Sequence, residues 1–248
     1  MAEPKKLKSE DKLHGSSSTW GKFQDYMGEF VYGGIDGSVT TFAVVAGAAG
    51  ADLSASIVLI LGFANLIADG FSMSVGAYLS TKTERDNYEK HKNIEYWEVE
   101  NLPEREVEEV REIYQAKGFE GELLEQVVAK ITENKDRWVD VMMKEELEMT
   151  PESKSPLAIG MVTFLSFIAI GLIPLLIYVY SYIAGIETEN TFTIASVLTS
   201  LAFIGIGWLK SYVTQTNQLR SILETLSLGA SAAILAYFVG DFLESIVR

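Results

Sequence analysis

The chain has 248 residues, 48% apolar and 22% charged, with 20 Lys and Arg against 34 Asp and Glu for a formal net charge of −14. The acidic excess argues against nucleic acid as a partner, because phosphates want Lys and Arg, and it favours cations as the attracted species. With no cysteine and only 2 histidines, His14 and His91, disulfides, thiolate sites and cysteine nucleophiles are excluded, and any metal site must be built mainly from carboxylate oxygen, amide oxygen and methionine sulfur.

Residues 1–22 read as a disordered tail and not as a cleaved signal peptide, being Lys-, Ser- and Glu-rich without an apolar core. Lys5, Lys6, Lys8, Lys12 and Lys22 place this end in the cytoplasm by the positive-inside tendency. Residues 23–83 hold two spans. The first runs from about Tyr26 to Ala49 and contains VYGGIDGSVTTF, in which Asp36 stands among Gly33, Gly34 and Gly37. A charge near the bilayer centre costs roughly 2.5 to 3.5 kcal/mol on insertion scales, so an intramembrane Asp is read as functional; the alternative is a loop Asp just outside a shorter span. The glycines strip side chains from the helix and admit a second helix, or the same helix of a second subunit.

The second span, Ile57 to Leu79, carries Asn65, Asp69 and Met73 at i, i+4 and i+8, a single helical stripe. Packing is the plain account of Met73 and interhelical hydrogen bonding that of Asn65; their alignment with Asp69, and the presence of Asp36, favour a polar pathway. No breaker follows until Leu102-Pro103, so this helix is expected to continue far beyond the apolar stretch, with Lys82, Arg85, Lys90 and Lys92 on the cytoplasmic side.

Residues 84–152 hold 21 acidic and 10 basic residues, 11 of the 14 net negative charges. Pro103 suits the first turn of a helix that stops at Gly118, and further helices are predicted over about Glu122 to Glu133 and Lys135 to Glu148. Glu95 and Glu98 are i, i+3 on one helix and Glu106 and Glu109 on the next, so each pair points two carboxylates the same way; Met142 and Met143 lie four and three residues before Glu146. Any single pair is more often a solvated face, but oxygen with thioether sulfur suits Fe²⁺ or Mn²⁺ better than Mg²⁺ or Ca²⁺.

Residues 153–248 supply three more spans. Leu157 to Ile183 and Thr191 to Leu209 contain no charged residue, and the last span covers about Ile222 to Ile246. Pro174 is expected either to kink the third or to be tolerated through neighbouring contacts. The linker Glu187 to Asn190 is acidic, which suits the far side, whereas Lys210 and Arg220 return the next connection to the cytoplasm.

Three stretches, GGIDGSVTTFAVVAGAAGADLS, ADGFSMSVGAYLSTKTERDNYEK and WVDVMMKEELEM, resemble in order the vacuolar iron transporter family, with the likeness spanning about Tyr26 to Val247. The resemblance implies an all-α integral membrane protein: a homodimer with five transmembrane helices per subunit and a cytoplasmic helical metal-binding domain between spans two and three. It also implies proton-coupled export of Fe²⁺, often with Mn²⁺, from the cytosol into a vacuole or out of the cell. On it the intramembrane ligands fall on Asp36 and Met73, doubled across the dimer, and the cytoplasmic ligands on Glu95, Glu98, Glu106, Glu109, Met142, Met143 and Glu146. The chain departs from the family at Asn65 and Asp25, where glutamate is familiar, and at Asp69, where a small residue is. Asp36, Asp69 and Asn65 are therefore the proton-coupling candidates, with Asp36, Asp69 or both as the groups that titrate, since a buried carboxylate gives up its proton as metal arrives.

The reading is a transporter and not an enzyme. A ferritin-like iron oxidase wants Glu-x-x-His motifs, and Tyr88 stands three residues before His91. A metal-sensing membrane protein without transport would find Asp36 and Met73 dispensable.

Overall fold

The computed structural model describes residues 25–185 and 190–247. The tail expected over 1–22 and most of the linker after Gly185 lie outside them. All regular elements among the described residues are helical, and these residues divide into two compact units, one of those up to Tyr78 together with those from Pro156 onward and one of Leu79–Ser155.

The first unit is built from α1 (Met27–Gly50), the first part of α2 (Ala55–Asn101), α6 (Pro156–Gly171), α7 (Leu176–Ala184), α8 (Thr191–Thr214) and α9 (Gln218–Val247). Five helical stretches are long and apolar enough to cross a membrane, with α6 and α7 forming one of 29 residues. Pro174 interrupts that stretch: it sits in a 3-10 turn, Ile173–Leu175, between α6 and α7. Lacking an N–H, proline cannot continue the α-helical ladder. Ile60, Ile67, Phe71, Leu165, Leu201 and Leu235 face outward, each more than half exposed. Such a surface is untenable in water and ordinary against lipid.

Small residues decide how closely α1 is held. A Cβ on Gly33 or Gly37 would run into the backbone of Thr163 or Phe167 on α6, and one on Gly47 or Gly50 into Ala236 or Tyr237 on α9. Without interhelical hydrophobic driving force in lipid, such close backbone approach supplies dispersion contacts that hold the bundle. The glycines around Asp36 therefore seat α6 of the same chain. The apolar part of α2 packs through Gly62 on Leu175, Leu66 on Gly171 and Gly70 on Phe167. Phe42, Val45, Leu66, Phe167, Leu175 and Phe203 lie at the centre of this unit.

The second unit comprises the charged part of α2 with α3 (Pro103–Ala116), α4 (Gly121–Thr132) and α5 (Lys135–Glu145). Pro103 opens α3, and Gly118 adopts φ 92° just beyond its end, the left-handed geometry for which glycine is suited. Asn134 caps α5 by accepting from the Arg137 N–H at 2.9 Å. Val99, Val110, Leu124, Val128, Trp138 and Val139 form the core, which also contains Met142 and Met143.

Candidate metal-handling sites

In the membrane unit, Asp36 occupies α1 and is half-buried, as are Asn65, Asp69 and Met73 along one stripe of α2. The Asp36 backbone carbonyl accepts from the Thr40 hydroxyl at 2.9 Å. Asp36 and Asp69 are near enough for each to feel the other's charge. Met73 packs against the apolar core, consistent with the plain account of a methionine there. Asn65 Nδ2 is buried with no hydrogen-bond partner. An amide left unsatisfied in an apolar unit is destabilising unless a ligand or a neighbour completes it.

The second unit gathers carboxylates from three helices. Charged residues begin at Lys82 and run to Glu100, so the half of α2 that bears Glu95 and Glu98 lies past its apolar stretch. Glu95 on α2 is 3% exposed and Glu106 on α3 is 2% exposed, and one carboxylate oxygen of each, Oε2, is buried with no hydrogen-bond partner. Glu98, Glu109 and Glu146 stand in their field. Burial first, then Glu146, Glu98 and Glu109, push the Glu95 carboxyl up from 4.5 to about 7. Burial first, then Glu109, Glu95, Glu98 and Glu146, push that of Glu106 to about 8. Glu146 is also raised, by burial and by Glu109 and Glu98. It caps the C-terminal end of α5, where the helix dipole is negative and a cation is favoured.

This arrangement suits a divalent cation chemically. Buried carboxylates that repel one another hold protons near neutral pH, and a metal ion that takes their place relieves the repulsion while releasing those protons. The carboxylates are within electrostatic reach of one another but not at ligand spacing: among the described residues no three carboxylate or imidazole side chains stand as a metal would hold them.

Two features of this cluster have no counterpart in the sequence reading. Arg105, itself exposed, pairs with Glu109 at 2.9 Å and lowers the proton affinity of Glu146, a counter-ion to the acidic group. Its signal was the i, i+4 spacing of Arg105 and Glu109. Met142 and Met143 are both 0% exposed but are not equivalent, because Met143 lines a cavity of about 540 Å³ with Tyr88, Lys92, Tyr96, Asp136 and Asp140. Consecutive residues on a helix point about 100° apart, which separates the two sulfurs.

A sequence model of the VIT family matches residues 27–241, which include every candidate residue of both units. The chain belongs to the VIT family. It is similar to a vacuolar iron transporter of Toxoplasma gondii, 38% identical over 229 residues that cover 90% of this chain and 76% of the relative. Vacuolar iron transporter 1 of Arabidopsis thaliana is 35% identical over 211 residues, 84% of this chain and 82% of that protein. The vacuolar iron transporter of Plasmodium falciparum is 32% identical over 238 residues, 94% of this chain and 86% of the relative. The VIT family match thus runs through both units.

Proposed function

We propose that this VIT family chain carries Fe²⁺, and Mn²⁺ with it, across a membrane out of the cytosol in exchange for protons. The observation that carries the reading is the coincidence of the family match over residues 27–241 with two buried, unpartnered carboxylates, Glu95 and Glu106, in a cluster of five. Relatives named as vacuolar iron transporters supply the cargo and favour a vacuolar membrane.

In this account the second unit is cytoplasmic and captures metal, with Glu95, Glu98, Glu106, Glu109 and Glu146 as oxygen donors and Met142 and Met143 as sulfur donors. Thioether sulfur favours Fe²⁺ and Mn²⁺ over Mg²⁺ and Ca²⁺. Asp36 and Met73 then form the obligatory membrane site, completed by a second copy of the chain in a homodimer. Asp69, whose charge reaches Asp36, serves as the proton carrier beside this metal site, which makes exchange of a proton for the metal the natural coupling. Asn65 lends an amide to the same stripe.

Purified protein reconstituted in liposomes and offered Fe²⁺, Mn²⁺, Mg²⁺ and Ca²⁺ separately tests the reading. Flux of the first two above protein-free liposomes, with little of the last two, is expected. Absence of flux for every ion, from protein that is folded and binds metal, would leave a sensor in place of a transporter.

A further inference from the structure

The turn between α8 and α9 holds a cavity lined mainly by charged and hydroxyl-bearing residues, none of them among the candidate metal ligands. Gln215 takes a left-handed conformation, φ 53°, to end α8, and the Asn217 side chain accepts from the Arg220 N–H at 3.1 Å to begin α9, a helix of 30 residues. Between the helix ends lies a cavity of about 450 Å³ whose lining includes Lys210, Thr214, Arg220, Ser221 and Glu224. Lys210 and Arg220 both reach Glu224, at 3.2 and 3.1 Å, so two bases share one acid and the cavity keeps a net positive charge. Ser221 is 2% exposed, and its hydroxyl has no hydrogen-bond partner. A buried hydroxyl without a partner is a donor left for something else. α8 and α9 are locked together beside it, since a Cβ on Gly207 would lie 2.7 Å from the Ile222 Cα.

The depth of the cavity is marked by aromatic side chains. Trp208 and Tyr212, one turn apart on α8, stack at 6.2 Å and are half exposed. Tryptophan and tyrosine concentrate at the headgroup level of a bilayer, and the two spans end within a few residues of this pair. An anion at this depth is most abundantly a lipid phosphate.

We propose that this cavity binds the phosphate of a membrane phospholipid. Lys210 and Arg220 supply the charge, the Ser221 hydroxyl donates to a phosphate oxygen, and the N-terminal end of α9 presents the positive end of its dipole. Glu224 opposes the anion directly and serves to hold the two basic side chains over the cavity.

The test uses the full chain in a neutral detergent, with bound lipid counted by native mass spectrometry and the melting temperature followed in parallel. Phosphatidylglycerol is expected to bind and stabilise, whereas diacylglycerol with the same acyl chains is not. Ser221→Ala keeps every charge and removes one donor; it should weaken phosphatidylglycerol about tenfold, the worth of a hydrogen bond to a charged group. Lys210→Gln should weaken it at least as much, and Glu224→Gln should tighten it. A Ser221→Ala protein that binds phosphatidylglycerol as the wild type does would overturn the site. Binding of inorganic phosphate as tight as that of the lipid, lost in the same variants, would overturn the lipid assignment in favour of a soluble anion.

Discussion

Glu106 allows the electrostatics of the carboxylate cluster to be tested with no metal present. Its carboxyl is held at about 8, chiefly by burial and then by Glu109, Glu95, Glu98 and Glu146. The folded chain therefore keeps a proton that the unfolded chain loses near pH 4.5. More protons are bound in the native state through that window, so the contribution to stability is full below about pH 4.5 and is lost as pH rises through about 8. At 1.36 kcal/mol per pH unit the ceiling is about 5 kcal/mol. Coupling among five carboxylates and relaxation around them bring the expected loss between pH 5 and pH 9 nearer to about 2 kcal/mol. For a unit of this size that is a fall of about 10 °C in melting temperature. The assay is thermal unfolding of the metal-free full chain in detergent, followed by the emission of Trp138, which is buried in the core of the second unit, with the other three tryptophans replaced by phenylalanine. Glu106→Gln keeps the shape and cannot ionise, so its melting temperature should fall by much less over the same range, with Glu95 supplying the residual slope. A wild-type melting temperature that stays level or rises from pH 5 to pH 9 would contradict a Glu106 that holds its proton by burial, as would a Glu106→Gln protein that falls as steeply.

Arg105→Gln removes the counter-ion from Glu109 and from the field of Glu146. Metal titration of the full chain should then show affinity raised roughly two- to fivefold, within the range of exposed ion pairs, and an unchanged or lower affinity would place Arg105 outside the cluster's electrostatics. Gly37→Ala drives a methyl into the Phe167 backbone and should destabilise the membrane unit by about 2 kcal/mol, while Gly76→Ala, with nothing within 4 Å of the new carbon, should be neutral or slightly stabilising. Comparable melting temperatures for the two variants would contradict the described seam. Asp69→Asn should leave metal binding largely intact and make flux insensitive to an imposed pH gradient; flux that still follows the gradient returns Asp69 to a structural role.

Local rules carried much of the fold. Long, predominantly apolar runs gave the five membrane-crossing stretches, two of them free of charge and the others broken by single acidic residues, the absence of a breaker before Leu102-Pro103 gave the long α2, and Pro174 and Gly118 mark their breaks through backbone chemistry that needs no tertiary context. What Gly33 and Gly37 face was not legible, because a glycine stripe states that something comes close without stating what; the structure answers with α6. The spacing of Glu95, Glu98, Glu106 and Glu109 showed which carboxylates share a face, but not that Glu95 and Glu106 are buried without partners, which depends on how α2, α3 and α5 meet. The cavity that Met143 lines, and the orphaned hydroxyl of Ser221, are likewise set by packing between helices and leave no mark in the local pattern.

The most direct test of the central claim follows iron and protons together in one set of liposomes. Wild-type protein, with an acidic lumen, should move Fe²⁺ inward while the lumen becomes more alkaline, each trace stopping when the other is blocked. Asp36→Ala should abolish both, and loss of Glu106 and Glu109 together should slow them less, because a capture site raises local concentration whereas the membrane site is obligatory. An Asp36→Ala protein that carries Fe²⁺ at the wild-type rate, or wild-type iron uptake with no change in luminal pH, would contradict the account.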